Sequence, residues 1–358
     1  MQAVILVGGQ GTRLRPLTAT RPKPMMPLVD RPFVAHQIEH LARYGIHDIV
    51  FSCGYRPDAL EAHFGDGARF GVRLRYVTDP IPLGTAGAVA NAVPAFDHPD
   101  DVLVLNGDIL TDLDLEAFRL AHVDAGAAGS IALTPVTDPS AYGLVRLRQD
   151  RAVAAFLEKP SVDELIPGEP YLINAGTYLL AHDVIATIPA DRACSIEREI
   201  FPGLADQGRL FGYPSDAYWR DIGTPQSYLD AHHDMLAGAV STAALTGDVY
   251  LGPRTIVERT ARVADRACVG ADCVIAAGAQ VLGSVVGAQT RVGANAYIEG
   301  CVIGEGVDIG AGTRLEGLVV VGDRAHIAPG LAIVGPAMID VGEIREVSVA
   351  DPAGGRSS

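Results

Sequence analysis

The sequence predicts two unlike architectures in one chain, an α/β domain followed by a parallel β-helix. Three observations carry this. Strand-like and helix-like stretches alternate over roughly the first 235 residues, and a six-residue aliphatic repeat then takes over from Leu251. The length of 358 residues also exceeds what one ordinary core holds and suits two domains.

The elements of the first part follow in order. Ala3–Val7 is a short apolar run closed by Gly8-Gly9, and Phe33–Tyr44 carries Phe33, Ile38 and Leu41 at helical spacing. Ile49–Ser52 is a second strand, Val72–Val77 alternates, and Val102–Leu105 is an apolar run of the buried type. Strands separated by helices imply parallel pairing with helices on both faces. Ligands of such sheets bind beyond the carboxyl ends of the strands. Here those ends carry Gly8-Gly9 and Asn106-Gly107-Asp108.

In the second part Leu251, Val257, Val263, Val269, Ile275 and Val281 stand six apart. After a one-residue deletion the series resumes at Val286, Val292 and Ile298, and after another it runs from Ile303 to Ile339. One inward aliphatic per six residues, with glycines near the corners, describes short strands wound into a triangular coil. Helical spacing would be 3.6, and the glycines would weaken a helix. The boundaries read as 1–235 for the α/β domain, 236–248 for a linker, 249–340 for the coil and 341–358 for a tail. The last eight residues, DPAGGRSS, are expected to be disordered.

Composition limits the function. The formal charge of −15 argues against a nucleic-acid surface, so an anionic substrate needs a local cationic pocket. No apolar run reaches the ~18 residues of a membrane span. Met1 leads directly into AVILV without a basic leader, so no signal peptide is expected. The five cysteines show no zinc spacing and read as free, buried thiols of a cytoplasmic protein. Of 28 Lys plus Arg residues, two are lysine, Lys23 and Lys159. That placement asks for an explanation.

The loop Gly8-Gly9-Gln10-Gly11-Thr12-Arg13 matches neither a Walker A loop nor the dinucleotide fingerprint. Alone it could be a plain tight turn, or a place where backbone N–H groups meet a phosphate chain. The fuller string GGQGTRLRPLT followed by PKPMMP resembles the signature of the sugar-1-phosphate nucleotidyltransferases. PLGTAGAV at 82–89, NGD at 106–108, FLEKP at 156–160, INAGTY at 173–178, SIEREIFP at 195–202 and WRDIGTP at 219–225 resemble further motifs of that family, in order. Within it, LVGG, PLGTAG and SIEREIFP are most similar to the mannose-1-phosphate guanylyltransferases. The resemblance implies a Rossmann-like nucleotidyltransferase domain with a mixed, mainly parallel sheet, then a left-handed β-helix of hexapeptide repeats.

It also implies a reaction between an NTP and a sugar 1-phosphate that releases pyrophosphate. Positioning and charge neutralisation dominate such chemistry. Mg²⁺ needs one or two carboxylates beside phosphate oxygens, and Asp108 and Asp221 are the candidates. Arg13 is expected on the phosphates that leave, with Arg15 either assisting or standing at the surface. Lys23 is expected at the α-phosphate, where a compact ammonium fits better than a planar guanidinium. Val7, Gly8, Gly9, Gly11, Thr12, Gly84 and Thr85 complete the expected nucleotide site. Asp79 is the candidate base reader: a carboxylate accepts from guanine N1–H and its exocyclic amine, which favours GTP. The bland reading of Asp79 is a turn residue before Pro80. Lys159 is expected on the sugar phosphate. Gly143, Glu158, Asn174 and Gly176 are expected around the sugar hydroxyls, with Trp219 against the sugar or in the core.

Mannose 1-phosphate is the leading acceptor. Glucose 1-phosphate, or a cyclitol or unusual sugar phosphate, keeps the chemistry and changes the substrate. A non-catalytic regulatory paralogue would lack a catalytic cation or a metal carboxylate. An acyltransferase working through the coil would use a histidine, for which His326 is the candidate. His232-His233 are expected to face solvent. The coil carries none of the residues proposed for nucleotidyl transfer, so its expected role is assembly or regulation, with a homo-oligomer, a dimer or tetramer, formed through it. A chain ended near Gly238 is then expected to keep nucleotide binding and lose association and stability.

Overall fold

The computed structural model describes residues 1–54, 57–98, 100–166, 170–189, 192–241 and 246–346. Residues 242–245 of the expected linker and the whole DPAGGRSS stretch lie outside the described residues.

The first strand, Gln2–Leu6, is apolar on both faces because it lies mid-sheet. It pairs in parallel with Asp48–Cys53 on one side and Val102–Asn106 on the other. Arg73–Thr78 extends the parallel half beyond Asp48–Cys53. Across Val102–Asn106 the sheet turns antiparallel through Tyr171–Leu180, which also pairs with Gly129–Val136 and touches Gly143–Leu147. The result is a mixed, nine-stranded sheet. One core fills each face, around Phe51 and Phe118 on one side and Tyr178 and Phe201 on the other.

A small ribbon matters most for the site. Trp219–Asp221 pairs antiparallel with Ile109–Thr111, so Asp221 stands opposite Ile109, next to Asp108. The Ile222 N–H donates to the Asp108 carbonyl at 3.0 Å. Two aspartates 113 positions apart in sequence thereby become neighbours.

The second part forms three parallel sheets of six, six and five strands, consistent with the left-handed β-helix. Val269, Ile275, Val281, Val286, Val292 and Ile298 all lie in its core. The two expected deletions shorten two turns of the coil: Cys268 stacks on Val285 and Val285 on Val302, one residue closer in sequence than Val302 to Val320. The last strand, Ile344–Arg345, lies inside the stretch assigned to the tail. Arg345 takes the register position above Ile327, so the aliphatic series ends one strand before the coil does.

The coil does not stand apart. Leu14, Leu17, Met26, Leu28, Val29 and Phe33 share one buried cluster with Cys268, Val285, Val302 and Val320. Helix Pro225–Leu236 joins it through Tyr228, Leu229 and Met235. His232 is buried there, not exposed as expected, and its Nδ1 lies 2.9 Å from the Tyr228 carbonyl. Burial lowers its pKa to about 4, against the pull of that backbone contact. His233 is half-buried, with Nε2 3.1 Å from the Gly283 carbonyl. Fully burying one large apolar side chain contributes about 1.5–3 kcal/mol, and a domain holds about 5–15 in all. A chain ended at Gly238 should therefore suffer more than lost association. Its melting temperature is expected to fall by at least ~10 °C, or its cooperative transition to vanish. A shortened chain that melts within a few degrees of the full one would contradict the shared core.

Candidate active site

The site is built where Leu6 and Asn106 end adjacent parallel strands. A cavity of about 600 Å³ opens there. Of the expected nucleotide residues, Val7, Gly8, Gly9, Lys23, Asp79, Gly84, Thr85 and Asp108 line it.

Gly11 follows with φ +61°, a left-handed turn suited to glycine. A side chain at Gly11 would press on Thr18 and on Lys23 Cβ. The Thr18 hydroxyl donates to the Gly11 carbonyl at 2.7 Å, which locks loop to segment. Thr12 opens a short helical turn, Thr12–Leu14, on the surface.

Lys23 is 8% exposed, so its charge must be answered inside the protein. Its Nζ donates to Asp108 Oδ2 at 2.6 Å and lies 3.9 Å from Asp221 Oδ1. Arg13, largely exposed, reaches Asp221 Oδ2 at 3.7 Å. Burial raises the pKa of Asp221, and the neighbouring Asp108 charge adds to the rise; Lys23 and Arg13 oppose it. Asp221 Oδ1 is buried without a hydrogen-bond partner. Two converging carboxylates, one with an orphaned oxygen, fit a hard divalent cation that takes its other ligands from phosphates and water.

Asp79, also lining the cavity, is partly desolvated, which raises its pKa; hydrogen bonds from Asn91 and Ser52 pull it down. Asn91 Nδ2 donates to Asp79 Oδ1 at 3.0 Å. Those contacts aim the carboxylate and leave lone pairs for a ligand. Thr85 is more structural than expected. Its hydroxyl donates to Glu197 at 2.8 Å and accepts from the Ile196 N–H at 2.9 Å. It thus ties PLGTAG to SIEREIFP.

The expected sugar-phosphate residues gather on the antiparallel half. Gly143 pairs with Glu158, whose carboxylate lies against it. Lys159 takes φ +53° and donates its backbone N–H to the Tyr142 carbonyl at 3.0 Å. The Tyr142 ring packs edge-on against Trp219, with centroids 5.4 Å apart. Trp219 is half-buried, and its Nε1–H donates to the Ala175 carbonyl at 2.9 Å. That bond holds the Trp219–Asp221 strand in place. Asn174 donates to the Tyr178 hydroxyl and accepts from the Gly176 N–H, both at 2.9 Å. One amide hydrogen and one lone pair remain for a ligand.

Sequence reasoning missed four supports. Gln37 donates to the carbonyls of Asn106 and Ile109, clamping the turn that carries Asp108. It sits beside Val34, Ile38 and Leu41 on the buried helix face, and that spacing was the signal available. Ser52 and Asn91 orient Asp79, and Tyr142 joins the sugar side to Trp219; no sequence pattern marked these. His326 lies exposed on the coil, 3.1 Å from Asp308.

A glycine loop, a buried lysine between two aspartates and a cavity at the sheet's carboxyl edge define a phosphate-transferring enzyme. The chain belongs to the nucleotidyl transferase family, whose model matches residues 2–238. Residues 245–351 match the GMPPB C-terminal domain. Mannose-1-phosphate guanylyltransferase of Mycobacterium tuberculosis is 40% identical over 252 residues, 69% of this chain and 68% of that protein. Probable mannose-1-phosphate guanylyltransferase 2 of Arabidopsis thaliana is 35% identical over 299 residues, 78% and 80% of the two chains. Among solved structures, HddC from Yersinia pseudotuberculosis complexed with GMP-PN aligns with a TM-score of 0.55 at 29% identity. It covers 64% of this chain and 97% of that one. Members of this family use a divalent metal.

Proposed function

We propose that the chain transfers the GMP unit of GTP to mannose 1-phosphate. A phosphate oxygen of the sugar phosphate attacks the α-phosphorus, the α–β P–O bond breaks, and pyrophosphate leaves. The observation that carries this reading is Lys23 held between Asp108 and Asp221, at one cavity with Asp79. A regulatory paralogue would not need all three charges.

The residues divide the work. Asp79, aimed by Asn91 and Ser52, accepts from the guanine edge. The glycine loop backbone approaches the phosphates, and Arg13 draws the leaving β- and γ-phosphates. Lys23 exchanges its contacts with the aspartates for the α-phosphate and follows the charge that develops there. Asp108 and Asp221 would hold Mg²⁺, which supplies charge neutralisation and alignment when bound. Lys159 takes the sugar phosphate, with Glu158, Asn174 and the backbone at Gly143 and Gly176 on the hydroxyls.

A cytoplasmic setting is consistent with five free, buried cysteines, and no helix among the described residues is long and apolar enough to cross a membrane. Assembly through the coil, as a dimer or tetramer, is supported by exposed aliphatics at both its ends. Leu251 and Ile256 stand at one end, and Val334, Met338 and Ile344 at the other. Light scattering of the intact chain tests this, and a monomer would remove it.

The base assignment is tested by Asp79→Gln. A hydrogen bond to a charged group contributes about 1.5–3 kcal/mol, so GTP selectivity over UTP is expected to fall at least ~10-fold. Equal selectivity in variant and wild type, read by pyrophosphate release, would remove Asp79 from the guanine site.

A further inference from the structure

The segment carrying Lys23 is held from the other domain. Thr20 donates its hydroxyl to Asp323 Oδ2, and Arg21 Nη2 donates to the same oxygen at 3.2 Å. Arg21 also pairs with Glu305. Asp323 sits in the coil between the strands Val319–Val321 and His326–Ile327, and it is 5% exposed. Its second oxygen, Oδ1, accepts the Glu305 backbone N–H at 2.8 Å. A Cβ at Gly304 would lie 2.6 Å from that oxygen, so glycine there is what lets Asp323 approach. One buried carboxylate thus collects two donors from the catalytic domain and one from its own coil.

Lys23 follows Arg21 by two residues. On its far side the segment is closed by the Met26 N–H bond to the Lys23 carbonyl at 3.0 Å and by the close approach of the glycine loop, where a Cβ on Gly11 would lie 3.1 Å from Lys23 Cβ. A lysine head sits on a flexible four-carbon stem, so it is placed only as well as its backbone is. The backbone here is pinned by Asp323 on one side and by the glycine loop on the other.

We propose that Asp323 is a positioning residue for the reaction: through Thr20 and Arg21 it sets the place of Lys23, which makes the coil part of the catalytic apparatus. This rests on the reading of Lys23 as the cation at the α-phosphate. It goes further by giving the coil a role within one chain, whether or not copies associate.

The test uses the intact chain labelled with ¹⁵N-lysine. Lys23 and Lys159 are its two lysines, so two side-chain signals are expected, assigned by Lys159→Arg. Asp323→Asn keeps the shape and removes the charge. It is expected to shift or broaden the Lys23 signal, leave Lys159 unmoved, and lower kcat on the order of tenfold or more with KM nearly unchanged. Arg21→Gln, which removes the tie from the other side, is expected to do the same, and the double variant to add little. It also carries the test alone if Asp323→Asn does not fold. Folded variants with both lysine signals in place and wild-type kcat would overturn the proposal. So would a fall in kcat tracked by lost stability while the Lys23 signal stays put. The lysine signals are read without substrate, so a wrong substrate assignment would not disguise either result.

Discussion

Asp221→Asn lowers turnover by at least ~100-fold while the protein stays folded, and Asp108→Asn does the same. The expectation follows from where the charge sits. Asp221 is largely buried, raised in pKa by burial and by Asp108, and one of its oxygens has no hydrogen-bond partner. A buried carboxylate of this kind is stabilised by a bound cation. Asparagine keeps the shape but provides neither the charge nor the second carboxylate oxygen, and losing one electrostatic element of this kind typically removes ~10²–10³ in rate. Little else is disturbed, because the strand carrying Asp221 is fixed by backbone pairing to Ile109–Thr111 and by the Trp219 bond to Ala175. Turnover by pyrophosphate release, with calorimetric titration of Mg²⁺ and nucleotide, checks this. Near-normal rates in either variant would remove it from the metal site.

Lys23→Arg is expected to cost on the order of 100-fold in kcat although the charge is kept. Lys23 lies buried with its ammonium 2.6 Å from one aspartate and 3.9 Å from the other. The room is that of a compact head with three rotatable donors; a planar fork fits neither the gap nor the shift toward a phosphate oxygen. Lys159→Arg, by contrast, changes an exposed residue and should chiefly raise KM for the sugar phosphate. Steady-state kinetics of the two variants separate the cases. Lys23→Arg turning over within a few-fold of wild type would make its placement, in a chain otherwise supplied with arginine, a coincidence.

Both parts of the fold were legible for physical reasons. Buried strands such as Val102–Asn106 read as continuous apolar runs, and the coil imposes its period of six because one side chain per strand must fill a narrow interior. The site was legible where motifs coincide with strand ends, as at Gly8-Gly9 and Asp108. The pairing of Asp108 with Asp221 was expected from chemistry, but the ribbon that creates it left no local trace.

The interface between the two parts was missed, although its pattern is present. Cys268, Val285, Val302 and Val320 each precede an inward aliphatic, so one sheet of the coil is apolar on both faces. His232 was misjudged similarly: it falls four residues after Tyr228 on the helix face that meets this sheet. Asp323 carried no signal, since an aspartate in a coil turn looks like any other surface residue until Thr20 and Arg21 are seen against it.

The reaction of the intact chain with Mg²⁺, followed by ³¹P NMR, distinguishes the substrate pairs. Mannose and glucose 1-phosphates are each offered with GTP, UTP, ATP and dTTP. GTP and mannose 1-phosphate are expected to disappear together as pyrophosphate and one new diphosphate-linked sugar appear, faster than any other pair. Preferential use of UTP, dTTP or glucose 1-phosphate, or no product from any pair, would contradict that expectation.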